Sequence, residues 1–243
     1  MVLLIDVGNT TIGIAIKNNE LKEIKKIETS IFKETNEVEL VSLFKDFNLG
    51  RIDKCIISSV VPSLNKKIQK IINNVFNIEP KFIDIHMKND IEIGLINPDE
   101  LGSDLYVDIY ASKLYSNKAI IVDLGTAIKI LTVDGDRFIG ALIIPGMMPS
   151  LKSLFSNAEL LSEIKIDKPH GILGNSTITC IQSGTINGTS LMIEGVVNRI
   201  IKQYGNFDVL LTGGDSYRIK DTLSIPHLYV PNLIYEGLVY LDE

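Results

Sequence analysis

Residues 2–16 read VLLIDVGNTTIGIAI, and residues 119–133 read AIIVDLGTAIKILTV. The two stretches align without a gap. Each holds four apolar residues, an Asp, one more apolar residue, Gly, then Asn or Thr, and a second apolar run. The pattern predicts a buried strand ending at the Asp, a tight Gly turn and a strand returning antiparallel. A third apolar stretch follows each: Leu21 to Ile27 after Asn18-Asn19-Glu20, and Phe138 to Ile144 after Asp134-Gly135-Asp136. The Asp-Gly pair is a strong hairpin signal. A unit that recurs in this way implies a duplicated architecture.

Helices and further strands fill out each copy. Leu40, Phe44 and Phe47 fall at i, i+4 and i+7, and Leu64, Ile68, Ile71, Ile72 and Val75 keep helical spacing behind Pro62, a good first-turn residue. Between them Cys55 to Val61 reads as a buried strand, and Phe82 to Ile85 as a short one. In the second half Ile193, Val196, Val197, Ile200 and Ile201 mark a long helix ending at Gly205. Asp208 to Leu211 marks a strand ending at Thr212-Gly213-Gly214, Leu228 to Val230 a final strand, and Leu233 to Leu241 a closing helix. Each half therefore reads βββαβαβ, an α/β pattern in two domains, residues 1–115 and 116–243.

Composition limits the function classes. The chain has 243 residues, 45% hydrophobic and 22% charged, enough to bury a sizeable core and too apolar for a disordered chain. Its net charge of −6 comes with scattered basic residues, which argues against a nucleic-acid or anionic-membrane surface. Apolar runs such as Ala141 to Met148 stop well short of the ~18 residues of a spanning helix. Met1 to Ile5 runs into Asp6 and reads as a first strand, not a signal peptide, so a cytoplasmic location is expected. Cys55 and Cys180 have no CxxC or His partner spacing and read as buried reduced thiols. The isolated His86, His170 and His227 form no metal-ligand pattern.

Two Asp-x-Gly-Asn/Thr turns at matching places of a duplicated fold would face each other across a cleft. Such turns suit polyphosphate: Gly lets the backbone approach the anion, N–H groups and the Asn or Thr side chain donate to phosphate oxygens, and Asp holds hydrated Mg²⁺. Neither GxxxxGK[ST] nor GxGxxG follows any strand, which disfavours P-loop and Rossmann sites. The turn at Thr212-Gly213-Gly214-Asp215 would let a purine lie on bare backbone, or it is a helix-entry turn capped by Asp215.

Asp6-x-Gly8-Asn9-Thr10, Asp123-x-Gly125-Thr126-Ala127 and Thr212-Gly213-Gly214 resemble the two phosphate motifs and the adenosine motif of the acetate and sugar kinase, Hsp70 and actin superfamily. Five further segments narrow the resemblance to the type III pantothenate kinases, also called the Bvg accessory factor family. They are Ser58-Ser59-Val60-Val61-Pro62, the stretch from Asn97 to Asp104, Gly140 to Gly146, Gly174 to Gly184, and Pro231 to Leu238. The resemblance covers nearly the whole chain. It implies a duplicated ribonuclease H-like, actin-like ATPase fold, with two similar halves flanking a nucleotide cleft. It also implies ATP-dependent phosphorylation of pantothenate to 4'-phosphopantothenate, the first step towards coenzyme A.

The resemblance assigns roles residue by residue. Asp104 is similar to the family's base; a helix N-cap is its bland alternative. Asp6 would hold Mg²⁺ through water. Gly8, Asn9, Thr10, Gly125 and Thr126 would hold phosphate oxygens, and Thr212, Gly213 and Gly214 the adenosine. Asp123 would sit near the transferring group or a monovalent cation, K⁺ or NH₄⁺. Asn97, Gly102, Ser103 and Thr177 match positions that line the pantothenate pocket, which a homodimer completes.

Two departures stand out. The family usually has Gly-Ala-Asp-Arg where this chain has Gly102-Ser103-Asp104-Leu105, and Leu105 cannot grip the pantothenate carboxylate as Arg does. Another cation, Lys113 or one from a partner subunit, would have to take that role. The second phosphate motif usually continues Thr-Ala-Thr-Thr, whereas Ile128-Lys129 follow Thr126-Ala127 here. Lys129 is then either an ammonium that reaches the γ-phosphate or replaces the monovalent cation, or a solvated strand residue between Ile128 and Ile130. The departures leave open a weakened relative acting as a regulatory or binding protein, or a related kinase with another acceptor.

Overall fold

The computed structural model of the chain describes residues 1–158 and 164–242. In chain order it contains β1 (Val2–Val7), β2 (Thr11–Lys17), β3 (Leu21–Glu28), α1 (Thr29–Glu34), α2 (Glu37–Asp46), β4 (Lys54–Ser59), α3 (Pro62–Phe76) and β5 (Lys81–Phe82). There follow β6 (Glu92–Ile93), α4 (Ser103–Ser112), β7 (Lys118–Leu124), β8 (Ala127–Asp134), β9 (Arg137–Pro145) and α5 (Met147–Asn157). The remainder is α6 (Thr177–Tyr204), β10 (Asp208–Thr212), β11 (Leu228–Tyr229) and α7 (Leu233–Asp242).

The repeat read from residues 2–16 and 119–133 governs both sheets. One has the order β3-β2-β1-β4-β5, the other β11-β10-β7-β8-β9-β6. Read from the opposite edge, the second repeats the first as β9-β8-β7-β10-β11. In each, the first three strands run antiparallel, the fourth adds parallel beside the first, and the fifth adds parallel beside the fourth. Gly135 turns β8 into β9 with φ +61°, the left-handed conformation for which its Asp-Gly pair is suited.

Local chemistry starts and stops the helices. Asn36 caps α2 by accepting from the Glu39 N–H at 2.9 Å. Pro62 opens α3, and Asn77 closes it in the left-handed conformation. Leu64, Ile68, Ile71 and Ile72 form the buried face of α3. Together with Leu3, Ile5 and Ile57 they belong to the first core, where each fully buried side chain contributes about 1.5–3 kcal/mol. Ser176 and Thr179 form a capping box at the head of α6, and Gly205 ends it at φ +97°. Ile193 and Val197 of α6 join Ile120, Val122 and Leu211 in the second core.

The strand expected over 82–85 is shorter, at Lys81–Phe82. Asp84 accepts from the His86 N–H at 2.9 Å and turns the chain away from the ladder. Cys55 is buried as expected, but Cys180 is exposed. It lies in the first turn of α6, where an apolar residue need not face the core.

Two compact units result, and two segments depart from the single boundary expected at residue 115. Glu92–Leu95 belongs to the second unit, where Glu92 and Gly94 donate N–H bonds to Asp136 O (2.8 Å) and Phe138 O (2.9 Å). The chain from Leu233 onward belongs to the first. There α7 packs on α4 so closely that a Cβ on Gly237 would lie 2.6 Å from Val107 Cγ1 and 2.9 Å from Ala111 Cβ. Asp242 then pairs with Lys54 and Lys81, each at 3.0 Å.

Candidate active site

The first unit gathers Asp6, the 8–10 turn and Asp104. Asp6 stands opposite Gly13 on β2 and Ser58 on β4. Beyond it Gly8 donates its N–H to Thr11 O at 3.0 Å, and Thr29 donates to Gly8 O (Oγ1, 2.7 Å) and Thr10 O (N–H, 2.9 Å). Asn9 and Thr10 are left exposed at the tip of the turn.

Ser103, the first residue of α4, ties that helix to the end of β4. Its hydroxyl donates to Ser59 O and accepts from the Ser59 N–H, both at 3.0 Å, and its Oγ lies 3.2 Å from Ser58 Oγ. Ser103 thus positions Asp104 beside the strand that neighbours Asp6. Asp104 is not the N-cap of α4, a place taken by Gly102; it is the second helical residue, and its Oδ1 accepts the Leu105 N–H at 2.8 Å, which satisfies one free donor of the first helical turn. A Cβ on Gly102 would lie 2.6 Å from that same Oδ1, so Gly at 102 leaves room for the carboxylate.

Nothing local in the sequence points to Tyr235. Its side chain is buried on α7, and its Oη occupies the space above Gly13. Burial, and then the negative charges of Asp6 and Glu23, push the phenol above its ordinary pKa. The hydroxyl remains protonated, a neutral donor beside the Asp6 region.

In the second unit two turns meet. Gly125 donates its N–H to Ala127 O and Gly146 to Thr126 O, both at 3.0 Å. Thr212 is the ladder partner of Asp123. Gly213 has φ +92°, and a Cβ there would collide with Asp123 Oδ1 and with the backbone of Leu124. Asp215 donates its N–H to Leu124 O at 2.9 Å. The 123–126 and 212–215 turns therefore share one wall, with Gly214 exposed beside it. The side chain of Asp215 does not cap the short helical turn that follows; it accepts from Arg218 Nε at 3.0 Å.

Lys129 is not a solvated strand residue. Its ammonium lies 2.6 Å from Asp123 Oδ2, and the two side chains are only 17% and 13% exposed.

Other expected positions are placed as follows. Asn97 is exposed in the first unit and donates Nδ2–H to Glu100 at 3.2 Å. Thr177 is the exposed first residue of α6 in the second unit. Lys113 cannot replace the missing guanidinium at Leu105. It lies at the far end of α4, about 13 Å of helix rise from Asp104, and pairs with Asp90 at 3.2 Å. An apolar cavity of about 570 Å³ between β8, β9, α5 and α6 is lined by Ile128, Met147, Leu151, Ile181 and Met192. It contains none of the phosphate-turn residues.

A metal fit rests on Asp6. Among the described residues no group of three or more His, Cys, Asp or Glu could hold an ion. A single half-buried carboxylate is the donor set that suits Mg²⁺, which keeps most of its waters and takes phosphate oxygens.

Comparison with known proteins identifies the family and the fold. The profile of the type III pantothenate kinase family matches residues 2–199. A type III pantothenate kinase of Sulfurihydrogenibium sp. (strain YO3AOP1) is 36% identical over 255 residues, covering 100% of both chains. A Baf family protein from Campylobacter jejuni superposes with TM-score 0.60 at 19% identity, covering 98% of this chain and 96% of that one. Component A of the (R)-2-hydroxyglutaryl-CoA dehydratase from Acidaminococcus fermentans superposes with TM-score 0.53 at 13% identity, covering 99% and 95%. The solved structures share the duplicated ribonuclease H-like fold.

Proposed function

Because the chain belongs to the type III pantothenate kinase family, we infer that it transfers the γ-phosphoryl group of ATP to the primary hydroxyl of pantothenate. The products are 4'-phosphopantothenate and ADP, the first step of coenzyme A biosynthesis.

Phosphoryl transfer needs in-line positioning, neutralised charge and a base at the attacking hydroxyl. Asp104 takes the proton of that hydroxyl. The single observation that best supports this role is the Ser103 clamp on Ser58 and Ser59, which fixes the head of α4 against the strand beside Asp6. Asp6 would hold Mg²⁺ through water, and the bound ion would draw charge from the phosphate oxygens. Asn9, Thr10 and Thr126 donate to the phosphates; Gly8 and Gly125, whose N–H groups close the two turns, let the backbone approach them, while Thr212, Gly213 and Gly214 give the adenosine a bare-backbone wall. Asn97, Gly102 and Thr177 contribute to the pantothenate pocket, where Ser103 acts by positioning. A positive charge is needed beside Asp123, from K⁺, NH₄⁺ or a side chain.

The protein works as a homodimer in the cytoplasm on this reading, and no described helix is long and apolar enough to cross a membrane. A coupled ADP-release assay tests the activity: pantothenate-dependent turnover is expected. Tight ATP binding without turnover would favour the weakened binding protein, which Leu105 in place of Arg makes a real competitor.

A further inference from the structure

Asp123 presents a carboxylate, only 9% exposed as a residue, at the base of a turn read as a triphosphate cradle. Left uncompensated, that charge would repel the nucleotide in a poorly hydrated place. Oδ1 lies where Gly213 leaves space, and Oδ2 meets the ammonium of Lys129 at 2.6 Å. Asp123 and Lys129 are direct partners across the β7–β8 ladder, so the backbone itself holds the two side chains on one face. A buried ion pair adds little net stability over an apolar pair. Its placement at the phosphate turn indicates a use for the charge.

We propose that Lys129 is a built-in cation of the phosphate turn: its ammonium neutralises Asp123 beside the triphosphate, so that activity needs no dissolved monovalent cation. The inference rests on the kinase reading above and deepens it. A lysine tethered by the strand is present at unit occupancy whatever the salt, whereas a free ion must bind from solution.

The test measures ADP release with pantothenate and Mg-ATP in a buffer whose monovalent cation is tetramethylammonium, with and without about 100 mM KCl at matched ionic strength. Wild-type turnover is expected to change less than about twofold on adding potassium, and Lys129→Arg, which keeps the charge, to behave alike. Lys129→Met should lose about tenfold or more in tetramethylammonium and regain most of it with potassium or ammonium. Wild-type turnover that requires potassium overturns the inference, as does Lys129→Met matching wild type without it. Absence of turnover in every buffer would instead overturn the pantothenate reading, and the inference is then read from Mg-ATP affinity. Lys129→Met should weaken that affinity about tenfold in tetramethylammonium, restored by potassium, and equal affinities would sink it. Circular dichroism of each variant confirms that it is folded, and the wild-type potassium response stands even if Lys129→Met is not.

Discussion

The phenol of Tyr235 stands directly over Gly13, so that a single methyl group at position 13 would collide with its hydroxyl oxygen. Through this contact the last helix of the chain covers the first hairpin, next to the strand residue Asp6 that pairs with Gly13.

Gly13→Ala should therefore destabilise the protein by about 1–3 kcal/mol, because both Gly13 and Tyr235 are buried and the aromatic ring has little freedom to retreat. The nearest atom is the hydroxyl, with the ring carbon behind it at 3.4 Å. In a Tyr235→Phe background the same substitution should cost clearly less. Urea unfolding of the four combinations measures the coupling, and strict additivity would show that the collision is relieved elsewhere.

Alkaline pH should loosen the first unit. Burial raises the pKa of Tyr235, Tyr110 and Cys55 above their ordinary values of 10.0, 10.0 and 9.0. A raised folded pKa gives stability that is whole below the unfolded pKa and lost as pH rises past it, since only the unfolded chain releases the proton. The urea midpoint should be flat up to about pH 9 and then fall, each such group adding up to about 1.4 kcal/mol per pH unit. Tyr235→Phe should flatten part of that limb. An unchanged slope would mean that Tyr235 ionises freely in the fold.

Asp104→Asn should leave Mg-ATP affinity intact and lower turnover by about 10² or more, the usual loss when a general base is removed. The amide still accepts the Leu105 N–H, so helix stability is kept. Steady-state kinetics beside a nucleotide titration separates the two roles; full turnover in Asp104→Asn would leave Asp104 as a first-turn helix residue only.

Gly213 and Gly214 offer a contrast within one turn. Gly213→Ala forces a left-handed residue against the backbone of Leu124, and should lower Mg-ATP affinity by about tenfold or more. A Cβ on Gly214 meets nothing within 4 Å, and Gly214→Ala should leave folding unchanged. Calorimetric titration and thermal melting of both variants check the pair.

Much of this architecture was legible in the amino-acid order. The gapless repeat, the apolar runs and the Gly turns specify a duplicated βββ unit because strand periodicity and turn chemistry are local properties. The motif turns at Asp6 and Asp123 were legible for the same reason. What packs on them was not. Tyr235 reaches Gly13 across more than two hundred residues, and Ser103 reaches Ser58 and Ser59 across more than forty, contacts that no local pattern encodes.

The placement of Lys129 was decided by register. A two-residue loop at Gly125-Thr126 would pair Asp123 with Ile128 and turn Lys129 to the opposite face. In the folded ladder Leu124 pairs with Ile128 and Asp123 with Lys129, so the loop is one residue longer. Side chains alternate with period two, and that single residue places Lys129 beside a buried carboxylate and not on the face of Val122 and Leu124, which packs in the second core. By itself the sequence determined the repeated scaffold and the chemistry at its turns; the tertiary structure alone decided which charges those turns enclose.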